Sequence, residues 1–459
     1  MSETDVASAP GTSSKLRRGL SSRQISMLTL GGSIGTGLFL GAGLAVSLAG
    51  PAVIIAYVIG ALITLTMVYA SAEMAVAHPD ANGFGQLAHR YLGPLVGFST
   101  RWMFWAAVSL AMGVETVAVA IYVRYWWPDV PLWLPVVACA VVVTAVHLVS
   151  VSVFGGVEYW ATMIKVTAIV VFLVLGVVYL TTGLPDRPAP GLSAWTGADS
   201  LLPQGFAGLW TAMIVVMFSY GGVESLSLSS AESKDPGRDL PKAARWTIVR
   251  LALFYVFSMV VILSVNATGG DLGTSPFVTL FSWFGMPTAA GLMNFVVLTA
   301  ALSALNTTMF MASRTLHSLG RDRQAPAWTT RLSRRGVPTN AVLMGTLGMV
   351  VAATVSVVAP ESAFTQLMGI ASFGGLGTWV VILVTHAKFV RGGRPAGRIR
   401  LPGAPWTNGV AALAVAAMVV TMAFVPMFRS AWLVGFPFLL LIILLYAVSR
   451  RKSASTSTT

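Results

Sequence analysis

Long apolar runs, separated by breaker residues and charge clusters, are the feature that most restricts how this chain can fold. About 20 consecutive apolar residues form a helix that crosses the ~30 Å hydrocarbon core of a bilayer. Only 10% of the 459 residues are charged and 56% are hydrophobic, so a water-soluble protein of this length could not cover its apolar surface. We therefore predict an all-α polytopic membrane protein.

Twelve transmembrane helices are predicted from these runs. Their approximate bounds are 25–49, 51–77, 95–124, 131–152, 157–182, 204–232, 242–267, 286–313, 338–358, 361–390, 405–428 and 431–450. Short connections, such as the one at Gly50 and Pro51, place neighbouring spans antiparallel.

The distribution of positive charge predicts the orientation of the spans. With the N-terminus in the cytoplasm, 25 of the 29 Lys and Arg residues fall on the cytoplasmic side, as the positive-inside rule requires. Arg124, Arg187 and Arg429 fall outside, and Lys165 lies within a span. We therefore expect a multi-pass protein of the cell (inner) membrane with both termini cytoplasmic. The basic residues are interpreted as orientation signals that contact the lipid bilayer, and no nucleic acid is expected as a partner.

Two of the predicted spans contain Gly-rich stretches that disfavour a regular helix. Gly31 to Phe39 reads GGSIGTGLF in span 1, and Phe218 to Glu224 reads FSYGGVE in span 6. Glycine costs about 1 kcal/mol relative to alanine in a helix interior. Unwound backbone at membrane depth is tolerated where it faces a cavity or other protein groups. Close helix packing through small residues is the alternative explanation for either stretch alone.

The two stretches occupy corresponding positions in two five-helix halves, which is the pattern of an inverted repeat with a site near the midplane. The N-terminus of a half-helix presents N–H donors to a carboxylate, and the carbonyls at the end of another suit an ammonium group. A zwitterionic amino acid carries both groups. We therefore predict a five-plus-five inverted repeat with broken helices 1 and 6, plus two C-terminal helices.

Four motifs occur in an order that is typical of one known family. They are GGSIGTGLFLGAG at 31–43, FSYGGVESLSLSSAESKDPGRDLPKA at 218–243, ALSALNTTMFMASRTLHSLGRDRQAP at 301–326 followed by GVPTNAV, and GTWVVILVTHAKFVR at 377–391. With these motifs, the sequence from about Ser22 to Arg400 resembles the amino acid permease branch of the amino acid–polyamine–organocation superfamily.

The resemblance implies a secondary active transporter that imports an amino acid by proton symport and alternating access. It implies a carboxylate-binding backbone and a set of contacts to the amine and side chain of the substrate. The first set is Ser33, Ile34, Gly35, Thr36 and Gly37, and the second is Phe218, Ser219, Tyr220, Gly221 and Gly222. Tyr220 is our candidate for an aromatic ring that covers the substrate.

The same reading divides the chain into five parts. We expect a cytoplasmic disordered tail at 1–21, an inverted-repeat transport core at 22–390, a cytoplasmic loop at 391–404, helices 11 and 12 at 405–450, and a cytoplasmic tail at 451–459.

Ionisable residues inside a membrane are costly and are functional candidates by default. Lys165 lies about two turns into span 5. In sodium-coupled relatives of the fold a cation lies between spans 1, 5 and 8, and by resemblance Lys165 is a fixed substitute for it. Burial disfavours the charged form of lysine, so Lys165 is a candidate to carry or sense the coupled proton. The alternatives are a structural cation bonded to span 1 carbonyls and a side chain that reaches the interface.

Carboxylates and polar groups on other spans complete the candidate set. Glu224 follows the span 6 interruption, where it would accept a proton or hold the unwound backbone. Glu115 on span 3 would pair with a substrate ammonium or with Lys165, or act as a protonated structural carboxyl. Ser303 on span 8, with Asn306, would line the cation site or bridge helices. Glu73 and Glu158 lie near cytoplasmic ends, where we expect a gate or interface role, and 232–242 is predicted to be a solvated loop.

Motifs for other functions are absent from the sequence. It contains no GxxxxGK[ST] phosphate loop and no HExxH motif, and its single cysteine, Cys139, excludes a disulfide framework. We therefore expect no enzyme activity, no cofactor and no metal. The alternative function is an exchanger of the same fold that swaps an amino acid for a related amine or metabolite, because GVES at Gly222 to Ser225 resembles acid-stress exchangers of the superfamily.

Overall fold

The computed structural model describes residues 30–79, 81, 83–149, 154–184, 188–189, 201–228, 236–267, 275–334, 336–393 and 399–456. Within these ranges the chain forms helices joined by turns and contains no β-strand. The predicted all-α class is therefore confirmed.

Residues 30–33 are helical and precede seventeen described α-helices. In chain order these are α1 (Thr36–Phe39), α2 (Gly41–Ala49), α3 (Val53–Ala77), α4 (Phe84–Leu92), α5 (Pro94–Val123), α6 (Trp133–Val149), α7 (Phe154–Thr182), α8 (Gly205–Ser219), α9 (Ser225–Leu228), α10 (Pro236–Ala267), α11 (Pro276–Trp283), α12 (Pro287–Arg321), α13 (Thr339–Gly345), α14 (Leu347–Val358), α15 (Ala363–Arg391), α16 (Trp406–Thr421) and α17 (Arg429–Thr456).

Eight helical stretches of the described chain are long and apolar enough to cross a membrane. Three shorter apolar helices accompany them, within α6, α8 and α16. Large apolar side chains such as Val358 of α14, Leu413 of α16 and Phe424 in the turn after α16 are more than 70% exposed. Such surfaces are stable in contact with lipid rather than water.

Three helices, α10, α12 and α17, extend at least six residues beyond the predicted spans, and α17 does so by continuing to Thr456. α10 begins at Pro236, so part of the predicted loop at 232–242 is helical. Proline is compatible with a first helical turn because its missing N–H would have no partner within the helix there. α12 continues to Arg321, beyond the predicted end of span 8.

The centre of the fold is formed by α5, α12 and α15. α5 packs against α12, α14 and α15, while α10 packs against α3, and α8 packs against α2. A Cβ atom added to Gly113 of α5 would lie 2.6 Å from the carbonyl oxygen of Gly348 in α14. The small residues therefore bring these two backbones together, as in other membrane helix pairs.

Glu73 belongs to a buried polar network that joins α3, α15 and α16. Its Oε2 atom accepts hydrogen bonds from His386 Nε2 at 3.0 Å and from the Leu401 amide at 2.8 Å. The side-chain amide of Asn408 donates to His386 Nδ1 at 2.7 Å and to the Leu383 carbonyl at 3.2 Å. Because Nδ1 accepts, the imidazole carries its hydrogen on Nε2 and donates it to Glu73. The network connects the C-terminal helices to α3 and α15. The side chain of Glu158, in α7, lies outside the described residues.

Replacing Glu73 by alanine is expected to lower the free energy of unfolding by roughly 1–3 kcal/mol for each of the two buried donors, His386 Nε2 and the Leu401 amide, that lose their acceptor. His386→Gln should cost much less, since a glutamine amide nitrogen can still donate to Glu73. Thermal unfolding in detergent compares these variants with Glu361→Ala, a matched control at an exposed position. Equal unfolding temperatures for Glu73→Ala and the control would contradict this role of the network.

Candidate functional site

The first Gly-rich stretch interrupts its helix. Residues 30–33 are helical, Ile34 and Gly35 form a bend, and α1 begins at Thr36. Gly35 is extended, with φ −122° and ψ −155°, and no side chain caps α1. The regular hydrogen-bond ladder therefore stops within the stretch in which the sequence predicts an interruption.

The second Gly-rich stretch forms a turn between two helices. α8 ends at Ser219, and α9 begins at Ser225. Gly222 has φ +88°, a conformation that favours glycine. The Gly221 amide donates to the Phe218 carbonyl at 2.9 Å, and the Ser225 amide donates to the Gly222 carbonyl at 3.2 Å. These bonds satisfy part of the backbone that the interruption releases.

The two interruptions are in direct contact. A Cβ atom at Gly222 would lie 2.6 Å from the Gly32 carbonyl oxygen, and one at Gly37 would lie 2.6 Å from Ser219 Cα. The Ser219 hydroxyl donates to the Gly37 carbonyl at 2.8 Å. Glycine at these positions therefore allows two unwound backbones to pack without intervening side chains.

Tyr255 of α10 bridges both interruptions. Its hydroxyl lies 2.7 Å from the Ser33 carbonyl and 2.7 Å from the Ser219 carbonyl. One phenol carries one hydrogen, so two carbonyl acceptors share a single donor. The ring packs against Tyr57 and Tyr220. The sequence prediction did not include Tyr255. The feature that could have drawn attention to it is that it is an isolated tyrosine in an apolar span.

A cavity of about 740 Å³, part of it continuous with solvent, lies beside the two interruptions. Its walls come from α5, α8, α12 and α15 together with both unwound segments. The predicted site residues that line it are Ser33, Gly35, Gly37, Phe218, Ser219, Gly221, Gly222, Glu115 and Glu224.

Five predicted site residues lie outside the lining of this cavity. Ile34, Thr36 and Lys165 are fully buried, and Ser303 is buried within α12. Tyr220 turns away from the cavity, and its hydroxyl donates to the Tyr57 carbonyl at 3.0 Å. The aromatic side chain of this segment that lines the cavity is that of Phe218.

Lys165 and Glu115 contact the first interruption at different backbone groups. The Lys165 ammonium donates to the Gly31 carbonyl at 2.6 Å. Glu115 Oε1 accepts from the Thr36 amide at 3.4 Å, whereas Glu115 Oε2 has no hydrogen-bond partner among the described residues. Lys165 acts electrostatically on the Glu115 carboxylate. A buried cation and a buried carboxylate therefore both contact the unwound backbone.

α12 also packs against the first interruption. A Cβ atom at Gly35 would lie 3.0 Å from the Ala304 Cβ, and one at Gly32 would lie 2.8 Å from the Thr307 methyl group. Ser303 and Asn306 are sequence neighbours of these contact residues. Lys165, the first interruption and α12 therefore meet in one region.

Glu224 is held by a residue that the sequence did not single out. The Trp379 indole of α15 donates to Glu224 Oε1, and both side chains line the cavity. The bond joins the segment after α8 to α15. In the sequence, Trp379 belongs to the family motif at 377–391, but the motif does not indicate that its partner is Glu224.

Among the described residues, no three His, Cys, Asp or Glu side chains come together as a metal site would require. The arrangement instead offers backbone N–H and carbonyl groups at one end of a cavity whose other walls are largely apolar. Such a site suits a small molecule with charged groups at one end and an apolar group at the other.

Comparison with known proteins identifies the family. The family model described as amino acid permease matches residues 24–457. The chain belongs to the amino acid permease family. The resemblance in the four motifs is therefore confirmed, and the protein is a multi-pass membrane protein of a family of amino acid transporters.

Curated relatives match this permease over most of their length. The uncharacterized amino acid permease YtnA of Bacillus subtilis (strain 168) is 35% identical over 439 residues, which cover 94% of this chain and 95% of the relative. The aromatic amino acid transport protein AroP of Escherichia coli (strain K12) is 36% identical over 416 residues, which cover 90% and 91%. The uncharacterized permease YvbW of Bacillus subtilis is 37% identical over 375 residues, covering 81% and 84%.

Gly222→Ala is expected to unfold more readily than Gly205→Ala. Both substitutions place alanine at positive φ, which costs roughly 1–3 kcal/mol. At Gly222 the new methyl group also overlaps the Gly32 carbonyl, whereas at Gly205 nothing described lies within 4 Å of it. Thermal unfolding and substrate binding in detergent measure the difference. Equal losses in the two variants would show that contact between the interruptions does not require glycine.

Proposed function

We propose that this permease imports an amino acid into the cell by proton symport and alternating access. The main support for this proposal is the cavity that is lined by both helix interruptions. Lys165 donates a hydrogen bond to the first of these interruptions. A cavity between two interrupted helices is the type of central binding site around which alternating access operates.

The proposed topology has twelve spans with cytoplasmic termini and a five-plus-five inverted repeat in residues 22–390. In this scheme residues 30–33 with α1 and α2 form span 1, and α8 with α9 forms span 6. The remaining spans, in order, are α3, α5, α6, α7, α10, α12, α13 with α14, α15, α16 and α17. The eight long apolar stretches and three shorter apolar helices support the scheme.

Backbone groups of the interruptions recognise the substrate in this proposal. The carboxylate binds the N–H groups of Gly35 and Gly37, which line the cavity where the extended backbone leads into α1. The ammonium binds carbonyl groups near Phe218 and Gly221, which line the cavity. The Phe218 ring, rather than that of Tyr220, then covers the bound substrate.

Lys165 takes the place of a coupling cation in this proposal. Its ammonium is fully buried and already bonded to the first interruption, so its charge supports the local backbone conformation. Loss of the proton would remove that support and favour another arrangement of the interruption. Glu115 and Glu224 line the cavity and are the candidates to exchange this proton with the substrate site.

An amino acid with a large apolar side chain fits the remaining walls. Phe104, Met311 and Leu376 are among the apolar residues that line the cavity. The relative AroP is named an aromatic amino acid transport protein, and this chain is 36% identical to it. We therefore propose aromatic amino acids as the substrate class.

Lys165→Ala should lose proton-driven accumulation while still binding substrate. We expect an inward proton gradient to raise uptake of labelled phenylalanine into proteoliposomes for the intact protein, and this gain to fall by roughly tenfold or more in the variant. Lys388→Ala, an exposed position on α15, is the matched control. Flux that ignores the gradient and requires internal substrate would instead make the protein an exchanger with a structural Lys165.

Glu115→Gln should strongly reduce proton-driven accumulation of the substrate while leaving exchange of internal for external substrate intact. The amide keeps the shape of the side chain near Gly35 but cannot give up a proton at neutral pH, so we expect gradient-driven accumulation to fall roughly tenfold or more. Exchange of internal for external substrate should continue. Glu361→Gln is the control, and full accumulation by Glu115→Gln would exclude Glu115 as a proton carrier.

A further inference from the structure

Six described glycines line the cavity, and five of them have a packing reason to be glycine. A Cβ atom at Gly35 would meet Glu115 Oε1 at 2.6 Å, and one at Gly221 would meet the Phe218 carbonyl at 3.0 Å. A Cβ atom at Gly32 would lie 2.8 Å from the Thr307 methyl group. One at Gly37 would lie 2.6 Å from Ser219 Cα, and one at Gly222 would lie 2.6 Å from the Gly32 carbonyl oxygen. A side chain at any of these five positions would therefore require neighbouring atoms to move.

Gly375 is different from these five. Nothing described lies within 4 Å of a Cβ atom built on it, and its φ is not positive. It lies in the interior of α15, where glycine is a poor helix former. Neither the local backbone nor the packing of this helix accounts for a glycine at this cavity-lining position.

The surroundings of Gly375 form a recess. One residue earlier, a Cβ atom at Gly374 would lie 3.0 Å from Ala107 Cβ and 3.1 Å from the Met103 carbonyl, so α15 and α5 touch there. At Gly375 the same helix faces open space. Trp379, one turn further along α15, is 2% exposed and fixed by its hydrogen bond to Glu224.

Several residues that line the same cavity as Gly375 are apolar or small. They include Ala107 and Ala111 of α5, Leu376 of α15 and Met311 of α12. Methionine makes favourable contacts with aromatic rings. The lining of the cavity is therefore compatible with an aromatic side chain.

We propose that the absent side chain at Gly375 creates the space that receives the substrate side chain, and that Gly375 sets the upper size limit for transported amino acids. The occupant is the ring of an aromatic amino acid. This inference rests on the proposed transport function and adds the position that determines specificity. Each methyl group added at Gly375 then occupies volume that the ring needs.

The test is a size series at this position. Gly375→Ala and Gly375→Val are compared with the intact protein for proteoliposome uptake of phenylalanine, tryptophan and alanine. We expect the KM for tryptophan and phenylalanine to rise roughly tenfold or more in Gly375→Val, with a smaller rise in Gly375→Ala, while alanine uptake is retained.

Gly377→Val is the matched control. Gly377 is in the same helix, likewise has nothing described within 4 Å of a Cβ atom, and is outside the cavity lining. It should leave the preference among the three substrates unchanged. If Gly375→Val is poorly folded, Gly375→Ala provides the same comparison with a smaller change.

The outcomes distinguish this inference from the function on which it rests. Equal loss of all three substrates in the Gly375 variants, or an unchanged preference, would overturn the size-limit role while amino acid transport stands. Intact protein that transports alanine but no aromatic amino acid would overturn the assigned occupant. Intact protein that transports no amino acid would overturn both the proposed function and the inference.

Discussion

Unwound backbone inside a membrane must find hydrogen-bond partners within the protein, and the architecture described above depends on this requirement. The interruptions of two helices are in contact, and the second supplies a hydrogen-bond donor to a carbonyl of the first. The Ser219 hydroxyl donates to the Gly37 carbonyl, Tyr255 bridges the carbonyls of Ser33 and Ser219, and Lys165 donates to the carbonyl of Gly31. Donors from α7, α8 and α10 therefore converge on the interrupted segments.

This arrangement separates the cavity into two chemically different parts. Backbone groups and Glu115 form one end, whereas small and apolar residues of α5, α12 and α15 form the rest. A ligand that is charged at one end and apolar at the other satisfies both. Trp379 joins the two parts, because its ring lines the cavity and its indole N–H binds Glu224 beyond the second interruption.

The sequence predicts the helical class and the two interruptions because both follow from local composition. Tyr220 shows where such reasoning ends: its neighbour Phe218 lines the cavity instead, because the turn after α8 sets which side chain points inward. Tyr255 and Trp379 act on segments far away in the chain, so their partners depend on how helices pack. The sequence around Gly375 does not mark it either, because the open space beside this residue exists only once the surrounding helices have packed.

The network around Glu73 has a consequence for how the protein is made. Two of its donors, His386 and the Leu401 amide, follow it by 313 and 328 residues. At about 5–20 residues per second, synthesis of the intervening chain takes roughly 15–60 s. These two hydrogen bonds to α3 therefore form only after most of the chain has been synthesised. The attachment of α16 to α3 and α15 through this network is thus a late step in the making of the protein.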